Sequence, residues 1–259
     1  MQAPSGRYLL FIDVLGFSEL VQTQGAESVY AVVDEALSVF SRWEELNQLF
    51  KTIYFSDTFI FYQEPEGYGD WAFLDVYAIG GMVLSALLAK GIPARGAITF
   101  GEFVVRQDAL KKHQVYFGKA LIEAYRAEQR ENWIGITIQP SAWRPYELKN
   151  PGIVGALASE GVWIKRSDDV LLLSPFIKLR GWYPLALIGE VDEPYLEWNE
   201  PEFPNELRAL RYLVSEANKY AMQGDFTSKI ASKYHATVRF CEQILGKEQL
   251  SWALAAARE

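Results

Sequence analysis

The order of apolar and polar positions predicts alternating strands and helices over the first 140 residues. Apolar runs with strand-like spacing stand apart from segments in which apolar residues recur every three or four positions, which is the helical period. The predicted strands are 7–14, two within 51–63, 94–105 and 133–139, and the predicted helices are 26–50, 71–90 and 118–132. This order, β-α-β-β-α-β-α-β, is typical of the ferredoxin-like or palm arrangement of an α+β protein, in which helices cover one face of a sheet.

The rest of the chain carries a weaker pattern and ends in helices. Strands are predicted at 161–165, 169–173 and 183–191, followed by a polar, proline-rich connector at 192–205 and helices at 206–223, 226–245 and 249–257. We therefore predict a main domain over residues 1–195 and a C-terminal helical extension over residues 196–259.

Composition excludes several classes of function. The formal charge of −8 and the pI near 5.0 argue against a nucleic-acid-binding surface. The single Cys241 excludes an internal disulfide, and the two histidines, His113 and His235, disfavour a zinc site and most histidine-based catalysis. The N-terminus lacks the features of a signal peptide, and the apolar run 76–89 is too short for a bilayer. We therefore expect a cytoplasmic protein with no nucleic-acid or membrane partner.

Two aspartates interrupt apolar runs that otherwise have the pattern of strands. Asp13 lies in Phe-Ile-Asp-Val-Leu-Gly-Phe and Asp57 in Phe-Ser-Asp-Thr-Phe-Ile-Phe. An ionised carboxylate among apolar residues costs several kcal/mol unless a cation compensates it. The first and third elements of a β-α-β-β sheet pair centrally, so the two carboxylates are predicted to be neighbours and to bind a divalent cation. A turn aspartate that caps backbone amides is the alternative for Asp57.

Two arginines follow the aspartates in the chain. Arg95 begins a predicted strand, where a guanidinium facing a metal site suits a polyphosphate because its fork binds phosphate oxygens. The alternative for Arg95 is a surface or salt-bridged arginine. Arg126 lies on the predicted helix 118–132, and alone it is most simply a solvated or glutamate-paired arginine.

Taken in order, these segments resemble the motifs of the class III nucleotidyl cyclases. Residues 11–18 are similar to their first metal motif, and residues 55–60 to the second, with Ser56 where the family usually has glycine. Residues 95–101 are similar to their Arg-x-Gly-Ile-x-x-Gly strand, with the glycine displaced by one position. Residues 118–128 match their Gly-x-x-Val-Asn-x-Ala-x-Arg-x-Glu helix in its glycine, alanine, arginine and glutamate. The resemblance spans residues 7–140 and implies a class III cyclase fold.

The resemblance also implies two divalent cations, Mn²⁺ or Mg²⁺, in each active site of a homodimer. The metal ligands would be Asp13, Asp57 and the carbonyl of Val14. The triphosphate would be bound by the backbone amides of Leu15, Gly16 and Phe17 and by Arg95. Arg126 would stabilise phosphoryl charge in the transition state from across the dimer interface. Because two cations activate the ribose hydroxyl and neutralise the leaving pyrophosphate, little side-chain acid–base chemistry is needed.

The sequence departs from the family in its base pocket and at one catalytic position. The two positions that read a purine base in the family are Ile53 and Val115 here, so adenine or guanine would lose its hydrogen-bond partners. Tyr54 could pack against or hydrogen-bond a smaller ring. This pattern resembles the pyrimidine cyclases of the Pycsar anti-phage system, which implies UTP or CTP as substrate and cyclic UMP or cyclic CMP as product. The transition-state asparagine of the family is Ile122 here.

These departures leave three functions open. The first is a pyrimidine nucleotide cyclase, a lyase whose product would act on a separate cyclic-nucleotide-responsive effector during phage infection. The second is a cyclase-like module that has lost turnover and senses nucleotides, which the missing asparagine would allow. The third is an adenylate or guanylate cyclase with a rewired base pocket.

Overall fold

The computed structural model describes residues 6–46, 50–63, 72–107, 114–159, 161–176 and 204–256. The strands are β1 (Arg7–Val14), β2 (Phe50–Phe55), β3 (Thr58–Gln63), β4 (Ala94–Gly101), β5 (Val104–Gln107), β6 (Gln114–Phe117), β7 (Ile136–Ile138), β8 (Trp163–Lys165) and β9 (Leu171–Leu173). The helices are α1 (Phe17–Gln24), α2 (Ala26–Leu46), α3 (Ala72–Ala89), α4 (Lys119–Arg130), α5 (Pro140–Lys149), α6 (Ile153–Ser159), α7 (Pro204–Met222), α8 (Lys229–Leu245) and α9 (Lys247–Ala256). The predicted α+β class is confirmed.

Within these residues, one mixed sheet organises the fold. Its strand order is β2-β3-β1-β4-β7-β9-β8, and β5 and β6 form a separate hairpin. The central strand β1 pairs antiparallel with both β3 and β4, and β4 pairs in parallel with β7. The order of the first four strands is that of the predicted ferredoxin-like arrangement. It places the end of β1 between the start of β3 and the start of β4.

Helices cover both faces of this sheet, which corrects the predicted one-sided cover. Leu10 and Ile12 of β1 point into a core with apolar residues of α2, α3 and α7, whereas Leu9 and Phe11 point into a second cluster. That second cluster contains three alanines of α4, namely Ala120, Ala124 and Ala127. Because side chains alternate along a strand, Asp13 shares its face with Leu9, Phe11 and α4.

Other differences from the prediction are local. The short helices α1, α5 and α6 were not predicted, and α5 contains Pro145, which weakens a helical pattern. The single strand expected over 94–105 is two strands, separated at Phe103, whose side chain turns into the core. The strand expected at 183–191 lies outside the described residues. The helix α3 extends the apolar run 76–89 to 18 residues and is long and apolar enough to cross a membrane, but 78% of it is buried inside the protein, as in a core helix.

Candidate functional site

The strand pairing brings Asp13 and Asp57 together, as predicted. Asp13 lies opposite Thr58 in the β1–β3 ladder, and Asp57 directly precedes Thr58 in the turn after β2. The Val14 amide donates a hydrogen bond of 2.9 Å to the Asp57 carbonyl. Ser56, the other turn residue, has a φ of 57°, a left-handed conformation that favours glycine. This left-handed conformation explains why glycine would fit well at the position before Asp57.

The carboxyl group of Asp13 lies in an environment that disfavours its charge. Its pKa is raised to about 6, first by burial and then by the negative charges of Glu128 and Asp57. Arg95 and Lys233 act in the opposite direction but do not overcome these effects. A carboxylate that is held near other carboxylates and away from water gains most from a cation that binds it directly.

Arg95 lies beside Asp13 but is held by α4. The β1–β4 ladder pairs the two residues, and Arg95 is only 8% exposed. Its Nε donates to the carboxylate of Glu128, which is fully buried, and its Nη1 donates to the Glu131 carbonyl at 2.9 Å. This arrangement favours the salt-bridged alternative for Arg95 over the predicted contact with phosphate, because the guanidinium is buried and already engaged.

The turn after β1 has the shape expected of a phosphate-binding turn, with one correction. Gly16 has a φ of +72° and precedes α1, and a Cβ atom at this position would meet no atom within 4 Å. The backbone is therefore open to a ligand here. The Leu15 amide, however, donates to the Pro93 carbonyl at 2.8 Å, so it is not free for a triphosphate. Gly16 and Phe17 remain as the predicted amide donors of the turn.

The predicted base-pocket residues do not share one surface. Ile53 packs against the cluster on the face that also carries Asp13. Tyr54 points to the opposite face, where its ring meets those of Phe59 and Phe61 edge-on at 5.5 and 6.3 Å. Tyr54 and Ile53 therefore lie on opposite faces of the sheet, since neighbouring residues of a strand face opposite ways, and a contact of Tyr54 with the base stays a prediction.

Val115 is also separated from Ile53. It is 54% exposed on the β5–β6 hairpin, on the side opposite to Val105 and Tyr116. Val105 and Tyr116 are the hairpin residues that pack against the cluster containing Ile53. Within one copy of the chain, the apolar character of Ile53 and Val115 therefore does not describe a single pocket wall.

Arg126 and Ile122 lie on the outer face of α4. Both are exposed, Ile122 to 51%, and they are separated by one turn of the helix. Arg126 lies two residues before Glu128, which is about 200° around the helix, so its side chain points away from the Asp13 site of its own copy. The position is compatible with the predicted role of Arg126 only if a second copy supplies the metal site that it faces.

Two charged residues of the site had no assigned role in the sequence. Glu128 lies in the motif 118–128, and its fully buried position shows that it holds Arg95 and adds negative charge near Asp13. Lys233 belongs to α8, 220 residues after Asp13, and acts on the Asp13 pKa. The motif glutamate could have suggested Glu128, whereas no local pattern identifies Lys233.

The donor set at Asp13 and Asp57 fits a hard divalent cation. Carboxylate oxygens are the ligands that Mg²⁺ and Mn²⁺ prefer, and the raised Asp13 pKa shows that burial, together with nearby carboxylates, disfavours the charged form of Asp13. Among the described residues, no group of three or more histidine, cysteine or acidic side chains has the arrangement of a metal site. A cation held here would thus have two protein carboxylates and would need further oxygens, such as those of a phosphate chain or water.

Comparisons with known proteins gave similarity in structure alone. No protein-family model matches the chain, and no curated protein matches it. Several solved cyclase structures are similar. The adenylyl cyclase CyaB from P. aeruginosa aligns with 16% identity and a TM-score of 0.47, over 56% of this chain and 81% of that one. The monomeric guanylyl cyclase domain of the RhoGC fusion protein from Blastocladiella emersonii aligns with 13% identity and a TM-score of 0.49, over 66% of this chain and 95% of that one. A Trypanosoma brucei adenylate cyclase aligns with 14% identity and a TM-score of 0.41, over 56% and 78%.

Proposed function

We propose that this protein is a divalent-metal-dependent nucleotide cyclase that acts on a pyrimidine nucleoside triphosphate. The observation that carries the proposal is the juxtaposition of Asp13 and Asp57 beside the open turn at Gly16. This is the pairing that the resemblance to class III cyclases implies for a metal and triphosphate site. The product would be cyclic UMP or cyclic CMP with release of pyrophosphate, and by the same resemblance it would signal phage infection to a separate effector.

Asp13 and Asp57 would hold the cations, Mg²⁺ or Mn²⁺, with the Val14 carbonyl as a further ligand. When bound, such cations lower the pKa of the ribose 3′-hydroxyl and neutralise charge on the leaving pyrophosphate. The protein itself orients the triphosphate, with the amides of Gly16 and Phe17 at the start of α1 as donors to its oxygens. With the cations bound, the hydroxyl proton would leave to solvent or to the substrate phosphate.

The site would be completed by a second copy of the chain. Arg126 points away from Asp13 of its own copy, and α4, β6 and the end of β2 carry exposed apolar side chains. These side chains are Phe55, Val115, Phe117, Ile122 and Tyr125, each between 47% and 78% exposed. Exposed apolar residues in such number suit an interface, and a twofold dimer would place each Arg126 in the opposite site.

The decisive experiment incubates the purified protein with each of the four nucleoside triphosphates and Mn²⁺ and identifies cyclic monophosphates by mass spectrometry. We expect cyclic UMP or cyclic CMP. Cyclic AMP or cyclic GMP alone would point to the purine cyclase. Nucleotide binding without product from any of the four would instead point to the sensing module, for which Ile122 in place of the asparagine is the supporting observation.

The shared site is tested by mixing two inactive variants. Asp57→Ala and Arg126→Ala should each abolish product. An equimolar mixture should regain up to about one quarter of the wild-type activity, because about half of its dimers are heterodimers and each of these has one of its two sites intact. Arg130→Ala is the matched control, since Arg130 is also exposed and lies one turn further along α4. Absence of any recovery in a mixture with demonstrated heterodimers would contradict the shared site.

A further inference from the structure

Helix α8 is fixed against the segment that follows α4. The hydroxyl of Thr237 accepts a hydrogen bond of 2.8 Å from the Ile134 amide, and Asn132 Nδ2 donates one of 3.3 Å to Ser232 Oγ. The rings of Trp133 and Phe240 also meet, with centroids 4.9 Å apart. The C-terminal helices therefore do not form a separate unit. Lys233 lies in the sequence of α8 between Ser232 and Thr237, the two residues that make these hydrogen bonds.

Lys233 is a half-buried cation without a direct partner. Among the described residues, its ammonium makes no hydrogen bond and no ion pair within 4 Å. It is close enough to Asp13, Glu128 and Arg95 for their charges to act on its pKa. That pKa is lowered, first by burial and then by the positive charges of Arg95 and Lys229, while the two carboxylates only partly oppose them.

The neighbouring cation, Arg95, is already bound to groups of the protein. Arg95 donates hydrogen bonds from Nε to Glu128 and from Nη1 to the Glu131 carbonyl, and its side chain is almost wholly buried. Lys233 is more exposed than Arg95. Its ammonium, on a flexible four-carbon chain, can also change position more easily than a guanidinium held in a buried ion pair. A partly desolvated ammonium without an anion in contact gains most from an anionic ligand.

We propose that Lys233 of α8 binds the phosphate chain of the substrate next to Asp13, in the role that the sequence had suggested for Arg95. The inference rests on the proposed function in that it takes a nucleoside triphosphate as the ligand of the Asp13 corner. It gives the C-terminal extension a direct part in the active site. Lysine is an established phosphate ligand as a point charge, and its three N–H groups can donate hydrogen bonds to several phosphate oxygens.

The test uses inorganic tripolyphosphate as the probe, titrated by calorimetry into the full-length protein with EDTA present. We expect Lys233→Gln to weaken tripolyphosphate binding about tenfold, which is the size of one lost hydrogen bond to a charged group. Lys233→Arg should keep the affinity within about threefold, because the charge is retained. Lys247→Gln is the matched control, since this exposed lysine begins α9, beyond the end of α8 at Leu245.

Thermal unfolding of each variant shows whether the change acts through the fold. Should Lys233→Gln prove unstable, the charge-retaining Lys233→Arg and the shorter-reach Lys233→His at pH 8 carry the comparison. Equal tripolyphosphate affinity of wild type and Lys233→Gln, or no binding by the wild type, overturns the inference. If that result came with cyclic product from the wild type, the proposed function would stand without it. Lys233-dependent binding without any cyclic product would support the inference and reject the cyclase.

Discussion

Two groups of acidic side chains flank the end of α4, and they differ in what compensates their charge. In the first, which we call the paired cluster, Arg166 donates to both oxygens of Glu131 at 2.8 and 2.9 Å and to Asp168 at 2.8 Å. Hydrogen bonds from Arg166 hold the pKa of Asp168 below its ordinary value. Each carboxylate of the paired cluster thus has a guanidinium from the same chain.

The second group, the aspartate corner, consists of Asp13 and Asp57. The Asp13 side chain has no hydrogen bond or ion pair among the described residues, and its pKa is raised to about 6. The nearby Arg95 is bound to Glu128 instead. In the paired cluster, the fold itself thus supplies the cation that compensates the acids. At the aspartate corner, no described side chain pairs with Asp13, and this difference marks the corner as a candidate site.

The largest expected effect separates the two groups directly. Asp57→Asn should lower cyclase activity on the order of a thousandfold and abolish stabilisation of the protein by Mn²⁺, because a metal ligand is lost. Asp168→Asn, in the paired cluster, should leave both properties within about twofold. Product formation and thermal unfolding with and without Mn²⁺ measure the two effects. Equal losses in both variants would remove the distinction.

Asp75 tests whether burial alone, without a neighbouring carboxylate, is enough to give the metal binding expected of the aspartate corner. This aspartate of α3 is 8% exposed, its Oδ2 has no hydrogen-bond partner in the described structure, and burial raises its pKa to about 7. The folded protein therefore holds a proton that the unfolded chain has lost above pH 4, so stability should fall by roughly 3 kcal/mol between pH 4 and pH 7 from this group. Asp75→Asn should remove that part of the slope in denaturant unfolding and leave Mn²⁺ binding unchanged. A slope that survives the substitution would assign it to other groups.

Breaking the paired cluster should change stability and not the site chemistry. Glu131→Gln leaves Arg166 with Asp168 as its remaining acidic partner, and we expect a loss of about 2 kcal/mol in the free energy of unfolding. The Glu131 carbonyl that accepts from Arg95 is part of the backbone and remains. Urea unfolding and a Mn²⁺ titration of the same sample give the two values. A large loss of Mn²⁺ affinity would mean that the two groups are coupled.

The smallest expected effect concerns pH. A protonated Asp13 cannot bind a cation, so Mn²⁺ affinity should be full above about pH 7 and fall about tenfold by pH 5, through the Asp13 pKa near 6. Calorimetric titration with Mn²⁺ at several pH values, without nucleotide, measures this. Asp13→Asn should bind weakly at every pH. A wild-type affinity independent of pH between 5 and 7 would show that Asp13 is not a ligand.

Much of the fold was predictable because its signals are local. Alternation and helical spacing identified β1, α2, α3, α4 and the three C-terminal helices, since each pattern is complete within one element. The misses have equally local causes. The helix α5 is obscured by Pro145, and β4 and β5 form one apolar run that breaks only where Phe103 turns into the core. Ser56 illustrates a third case, because its positive φ is visible only once the turn is built.

The site was predictable in part for the same reason. The two aspartates were recognisable because each breaks an apolar run, and the pairing of β1 with β3 then brings them together. That Tyr54 and Ile53 face opposite sides of the sheet was clear only from the structure, because the pattern within one strand does not show which face meets which part of the core. The availability of the Leu15 amide likewise depended on a contact with Pro93, which lies 78 residues further along the chain.

The sequence by itself determined the α+β class, the position of both aspartates and their expected affinity for a cation. Those properties follow from the spacing of apolar residues and from the cost of a charge among them. Only the tertiary structure decided which cations those aspartates meet. Arg95 forms an ion pair with Glu128, which lies 33 residues further along the chain. Lys233, on a helix near the C-terminus, is the other cation whose charge acts on Asp13. Ion pairs form between whichever groups the packed helices and strands bring into contact, and no pattern within a single segment specifies that choice.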